Sequence, residues 1–296
     1  MSVVDWFTDP LAYDFMRRAM LVAVVCGIVC AVLSCWLTLL GWSLMGDAVS
    51  HAVLPGVVLS YVVGVPFAIG AFVFGSAAVF LVGGLSRTSR VKEDAAIGIV
   101  FTGLFALGLV LVSAIPSQID LFHILFGNVL GVSDGDIRQV VIIGAIVTAV
   151  LLFKRRDLVL YAFDPTHAHA VGISPRRLEA ILLGALALTV IVALQAVGIV
   201  LVVAMLITPG ATAYLITDRF SRMLGIAVAA SVSACLLGTY LSYHLDWSTG
   251  GAIVCVLTVQ FVAAYLFAPK GILAQRRSRP DTEDEGDGGL AVGAAA

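Results

Sequence analysis

Long apolar runs separated by short polar clusters dominate the chain. Runs long enough to cross a bilayer occur at Ala19–Leu40, Ala48–Gly64, Pro66–Leu85, Ala95–Ala114, Ile137–Phe153, Leu178–Val203, Leu224–Leu245 and Gly250–Phe267. In lipid the backbone polar groups must be satisfied within the segment, so these runs predict helices. Two further apolar pieces are short. Leu121–Gly131 reads as re-entrant or as a half-helix, and Met205–Thr217 is interrupted by Thr208-Pro209-Gly210. The expected fold class is an all-α polytopic membrane protein with eight to ten transmembrane helices, some short or broken.

Composition sharpens this reading. Of 296 residues, 60% are hydrophobic and 12% charged, more apolar surface than a soluble core needs. The net charge of -2 says little, because the charges are segregated between the runs. Basic residues sit in short inter-span clusters, so no nucleic-acid partner is expected. Cys26, Cys30, Cys35, Cys235 and Cys255 lie in apolar runs without Cys-x-x-Cys spacing. They indicate no disulfide framework, and Cys26 with Cys30 reads as small packing residues rather than a soft-metal pair.

Three regions follow. Residues 1–15, with Trp6, Phe7, Tyr13 and Phe15 among acidic residues, suit an interfacial segment. Residues 16–275 form the membrane domain, including a cytoplasmic connection over 154–177. Residues 276–296 are acidic and rich in Gly and Ala, and are expected to be disordered. Arg17-Arg18 before an apolar run resembles a signal sequence, but the run continues to Leu40 and reads as a retained first span. Lys154-Arg155-Arg156, Arg176-Arg177, Arg219, Arg222 and Lys270 place the C-terminus in the cytoplasm. The N-terminal side stays open, because Arg17-Arg18 and Arg87, Arg90 and Lys92 favour opposite orientations. The choice turns on whether Leu121–Gly131 crosses.

Gly41 to Gly64 carries the densest chemistry. Asp47 and His51 are four residues apart, one turn on a helix, with Ser50 beside them. A carboxylate and an imidazole so stacked can grip a divalent cation, and ionisable groups in a span usually face a cavity, a partner or an ion. Two structural readings compete: Asp47 as the cap of a helix beginning at Ala48, and His51 as a neutral histidine bonded to a neighbouring helix. Pro55-Gly56 follows at once and is echoed by Pro209-Gly210 in the second half. Matching Pro-Gly interruptions in two halves point to helix breaks near a transport path, although such pairs also serve packing.

In the 154–177 connection, Asp164 can cap a short helix, with Pro165 at its first position and Gly172 at its end. Such an amphipathic helix on the cytoplasmic face suits a soluble partner. His167 and His169 diverge on a helix and read as surface residues. Asp120 with His123, and His244 with Asp246, are weaker cation candidates, and Gln195 reads as a mid-span hydrogen-bonding residue. The sequence contains neither a Gly-x-x-x-x-Gly-Lys-Ser/Thr loop nor His-Glu-x-x-His, against ATP binding by that loop and against a zinc protease of that type.

Several ordered blocks resemble one family. MGDAVSHAVLPG at 45–56, KEDAAIG at 92–98, Ala106-Leu107-Gly108, Phe163-Asp164-Pro165 through Gly172-Ile173, and Val197-Gly198-Ile199 through Ala213 are similar to the permeases of manganese, iron and zinc ABC transporters, the ABC-3 family. Only the chain ends lie outside the resemblance. It implies a dimeric pore of two permease copies in a bacterial plasma membrane, working with a cytoplasmic ATP-binding subunit and an extracellular metal-binding lipoprotein. It implies metal contact by Asp47 and His51, and ATPase coupling through Phe163, Asp164, Pro165, His167, Ala168, Gly172 and Ile173. The wording around His51 looks closest to the manganese branch. Mn²⁺ is then the expected cargo, with Fe²⁺ or Zn²⁺ as alternatives, and no permanent cofactor and no enzymatic activity are expected. The rival readings are a gradient-driven secondary transporter using Asp47, and a membrane enzyme or scaffold with an incidental metal site.

Overall fold

The computed structural model describes Asp9 and residues 12–114 and 133–272. The expectations for residues 1–8, for Leu121–Gly131 with Asp120 and His123, and for the 276–296 tail lie outside the described residues.

The elements run α1 (Asp14–Leu40), α2 (Ser43–Ala52), α3 (Leu54–Val63), α4 (Phe67–Thr88), α5 (Glu93–Ala114), α6 (Asp134–Phe153), α7 (Arg155–Phe163), α8 (Pro165–Ala170), α9 (Pro175–Val197), α10 (Ile199–Ile216), α11 (Phe220–Leu245) and α12 (Thr249–Phe267). With α2 and α3 taken as one span, the described residues hold nine helices long and apolar enough to cross a membrane. The protein is an all-α polytopic membrane protein.

The helix α1 is the hub. It packs on α10, α11 and α6, and its Cys30, Leu33, Cys35 and Trp36 are wholly buried. Small residues let the backbones approach, the usual basis of helix association in lipid. At the α1–α11 crossing, Ser231 Oγ donates to the Gly27 carbonyl at 2.9 Å and Cys235 Sγ to the Ala23 carbonyl at 3.2 Å. Cys26, Cys30, Cys35 and Cys235 are buried and unbridged, in keeping with a packing role.

Two expectations are corrected. The apolar run Leu178–Val203 is not one span: α9 ends at Val197 and α10 begins at Ile199. The turn between them is Gly198, at φ 83° and ψ 164°, a region that glycine almost alone occupies. An unbroken apolar pattern hides such a turn. Pro209-Gly210 then falls inside a continuous α10 instead of interrupting it. Gln195 consequently lies near the end of α9, exposed, not in mid-span.

The chain alternates between two faces of the bundle. Arg18 pairs with Asp134 at 2.7 Å, which puts the starts of α1 and α6 on one face. His51 meets Phe101 and Phe105, and Leu54 lies against Gly108, so α5 runs parallel to α2 and α3. The end of α5 therefore shares a face with the start of α6. Arg90 and Lys92, Lys154-Arg155-Arg156, Arg176-Arg177, Arg219 and Arg222 all lie on the opposite face, where Lys270 pairs with Asp218.

Candidate functional site

Gly41, at φ 74°, closes α1, and after Trp42 the chain re-enters helix at Ser43. This early start decides between the readings of Asp47. The residue lies within α2, not at its cap, so its carboxylate is free of that duty. Its Oδ1 is 3.4 Å from His51 Nε2, and the two side chains are 35% and 21% exposed. They form a partly buried pair. Ser50 does not join them: it is buried, and its hydroxyl donates to the Asp47 carbonyl at 2.8 Å.

Two neighbours fix the depth of the pair. His51 meets Phe101 and Phe105, near the middle of α5. A Cβ on Gly46 would lie 2.9 Å from Leu206, near the middle of α10. Asp47 and His51 thus sit well inside the bundle's apolar thickness. The imidazole Nδ1 is buried, with no hydrogen-bond partner among the described residues, so the competing reading, a bond from His51 to a neighbouring helix, finds no partner at that nitrogen there. Nε2 is the nitrogen that faces the carboxylate. Among the described residues no group of three or more His, Cys, Asp and Glu side chains is placed to hold a metal ion. One chain therefore offers this site two protein ligands, a carboxylate and an imidazole.

The break that follows is local. Between Ala52 and Leu54 the helix restarts, with Pro55 in the first turn of α3. Gly56 abuts Gly70 of α4 so closely that a Cβ on either would overlap the other's carbonyl oxygen. Gly70 N also donates to Ser60 Oγ at 3.1 Å. In α10, Gly210 N donates to Ser34 Oγ at 2.9 Å, and that hydroxyl reaches the Ile207 carbonyl at 3.2 Å.

The 154–177 connection folds into two helices where the sequence suggested one. Lys154 pairs with Asp157 at 3.1 Å, and α7 buries Leu158 and Tyr161. Asp164 then caps α8, accepting from His167 N at 2.8 Å, with Pro165 in the first turn. Gly172, at φ 83°, ends it, and Ile173 N donates to the Ala168 carbonyl at 3.0 Å. Ala168 is buried and Ile173 packs against the core, while His167 and His169 are exposed. Phe163 is 68% exposed and Val171 58%, an apolar pair flanking α8 on the basic face.

The sequence profile of the ABC 3 transport family matches residues 12–268. The chain belongs to the ABC 3 transport family. It is 58% identical to the manganese transport system membrane protein MntB of Synechocystis sp., over 95% of this chain and 93% of that one. It is 49% identical to the chelated iron transport system membrane protein YfeD of Yersinia pestis, over 93% of each. Among solved structures it resembles PsaBC from Streptococcus pneumoniae in complex with Fab, with a TM-score of 0.83 and 36% identity over 93% of this chain and 100% of that one. This protein is thus an ABC-transporter permease.

Within this ABC 3 permease the structure also shows residues near the site that the sequence did not single out. Phe101 and Phe105 have the i, i+4 spacing of one helix face, but only the fold brings them to His51. The weaker pair His244 and Asp246 lies far along the chain, at the end of α11. Asp246 closes that helix at φ 52°, and the His244 ring stands edge-on to Tyr243 at 5.1 Å.

Proposed function

We propose that this permease imports a divalent transition metal ion, Mn²⁺ foremost with Fe²⁺ next, using ATP hydrolysed on a separate cytoplasmic subunit. The observation that carries this reading is the Asp47–His51 pair, 3.4 Å apart, half-open and at mid-depth in the bundle. A hard carboxylate beside a borderline imidazole accepts Mn²⁺ and Fe²⁺ without thiolates. Two ligands per chain are too few for a closed cage, and a second copy facing the first would supply two more, with water completing the shell. Such a site binds weakly enough to release its cargo, as conduction requires. Zn²⁺ binds nitrogen and oxygen sites more tightly than Mn²⁺ does, so selection rests on geometry, release and delivery. With two histidines Zn²⁺ would tend to settle into a tetrahedral site. An extracellular metal-binding lipoprotein is the expected source of the ion. The similarity to a manganese transport protein supports the same choice.

The basic face is the cytoplasmic one by the positive-inside rule. In a bacterial plasma membrane this puts the C-terminus inside and, across the nine spans of the described residues, the start of α1 outside. The segment from Phe163 to Ile173 then lies in the cytoplasm, and its capped helix with exposed Phe163 and Val171 suits docking of the ATPase. The membrane domain spans 16–275 with 154–177 as its coupling connection. Pro55-Gly56 follows the Asp47–His51 turn at once and is the helix break assigned to the neighbourhood of the ion path, while Pro209-Gly210 shares α10 with Leu206, which packs on Gly46 beside Asp47.

The test is uptake in proteoliposomes holding the permease and its ATPase, with Mn²⁺, Fe²⁺ and Zn²⁺ each supplied at matched free concentration. ATP-dependent Mn²⁺ uptake is expected. Zn²⁺ uptake with no Mn²⁺ uptake overturns the ion assignment. Uptake by the permease alone, driven by a gradient, overturns the ATPase coupling and restores the secondary-transporter reading.

A further inference from the structure

We propose that Phe101 and Phe105 form an aromatic clamp on α5 that sets the rotation of the His51 imidazole and so tunes how firmly the site holds its metal. The inference rests on the metal reading of Asp47 and His51. The two phenyl rings are one turn apart on α5 and lie nearly parallel, 19° between planes and 6.0 Å between centroids. His51 stands edge-on to both, at 5.2 Å from each, with interplanar angles of 62° and 80°. Edge-to-face contacts at this distance are attractive and directional. Two of them on one small ring leave it little freedom about its Cβ–Cγ bond. The rotation they favour turns Nε2 toward Asp47 Oδ1, at 3.4 Å, and buries Nδ1.

The clamp has a second property. Metal-bound histidines usually donate their other N–H to a carboxylate, carbonyl or water, which orients the ring and strengthens the ligand. Nδ1 is buried, and among the described residues it has no hydrogen-bond partner. The clamp supplies the orientation without the added basicity. A ligand that is well aimed but not reinforced suits an ion that must enter and leave in every cycle. Phe101 and Phe105 are positioning residues: they act on the ion through His51.

The experiment compares the wild-type permease–ATPase complex with the Phe101→Leu, Phe105→Leu and double-leucine variants, and with Phe101→Tyr and Phe105→Tyr, which keep a ring. Mn²⁺ uptake is measured across free metal concentration, and His51→Ala is run alongside. Loss of the clamp is expected to raise the half-saturating Mn²⁺ about tenfold, the low end of the effect of removing an outer-shell partner. Maximal rate and ATPase assembly are expected to hold within about twofold, and the tyrosine variants to restore wild-type half-saturation more nearly than leucine does. Co²⁺ bound in place of Mn²⁺ is expected to show an altered d–d spectrum in the leucine variants, which a purely structural role would leave unchanged. If the double variant fails to assemble, the single variants decide, since each retains one ring on His51. Unchanged half-saturation, or a lower maximal rate at unchanged half-saturation, overturns the clamp. If His51→Ala itself transports normally, the metal reading fails first, an outcome distinct from failure of the clamp alone.

Discussion

Pro55-Gly56 sits where α2 gives way to α3, whereas Pro209-Gly210 lies inside an unbroken α10. In sequence the two pairs look like copies. In the fold their glycines share a role and their prolines do not. Gly56 touches the Gly70 backbone of α4, and a Cβ on Gly210 would stand 2.5 Å from the Ser34 carbonyl of α1, so each glycine marks a helix crossing too tight for a side chain. Pro55 occupies a first helical turn, where a missing N–H costs little. Pro209 lies mid-helix, where the missing N–H must be made good by a neighbour. The first pair directly follows two ionisable residues. The second has none beside it, and its close contact is with Ser34 of α1. The same dipeptide therefore marks a helix restart in one half of the chain and lies within a continuous helix in the other.

The sharpest way to break this contrast is to remove the chemistry from the first region. Asp47→Asn and His51→Ala are each expected to abolish ATP-dependent Mn²⁺ uptake while leaving the unfolding temperature and assembly unchanged, because both side chains are partly exposed and neither fills the core. Normal uptake by both variants would reduce the first pair to packing as well.

The glycines should respond alike. Gly56→Ala and Gly210→Ala each force a methyl group into backbone, and overpacking of this kind costs about 1–3 kcal/mol. Gly56→Ala is expected to be the worse, because its neighbour is a glycine with no side chain to move aside. Thermal unfolding of the purified variants decides it. Equal stability to wild type in both would show that the crossings can widen freely.

Away from either pair, the docking segment gives a smaller effect. Asp164→Ala removes the cap of α8 and should cost about 1 kcal/mol of local helix stability. The expected result is weaker ATPase co-purification and ATP hydrolysis less tightly tied to uptake. Unaltered coupling in that variant, and in one with 164–172 scrambled, would remove the segment from the mechanism.

Features with a local cause were legible in the chain. The membrane runs follow from apolar length, and the α8 boundaries from Asp164, Pro165 and Gly172, each of which acts within a few residues of itself. The Asp47–His51 pairing follows from helical periodicity once the stretch is helical. Other features were not legible, because their causes lie elsewhere in the chain. The turn at Gly198 sits in an uninterrupted apolar run and shows only as a backbone angle. The start of α2 at Ser43 lacks a side-chain cap that a reader could find. Phe101 and Phe105 are ordinary span residues until α5 lies beside α2. Ser34 reads as one more small residue of α1, yet its hydroxyl bonds to the α10 backbone on either side of Pro209.

That last point yields the smallest and most specific prediction. Pro209 cannot donate to the carbonyl four residues earlier, so the ladder of α10 is weakened there. Ser34 contributes on both sides of the gap, accepting from Gly210 N at 2.9 Å and donating to the Ile207 carbonyl at 3.2 Å. Ser34 is fully buried, so no bulk water can replace its hydroxyl. Ser34→Ala should then cost about 1 kcal/mol or somewhat more, the usual result of stranding a buried polar group. Pro209→Ala restores the missing N–H and relaxes the helix, which lets Gly210 N return to its own ladder. In that background Ser34→Ala should cost less, with a coupling of about 0.5 kcal/mol or more in the double-mutant cycle. No such cycle links Ser34 to Pro55, and uptake by every variant should follow the amount of folded protein. Equal costs of Ser34→Ala with and without Pro209 would mean that the hydroxyl serves the α1–α10 crossing alone and that the proline needs no help from it.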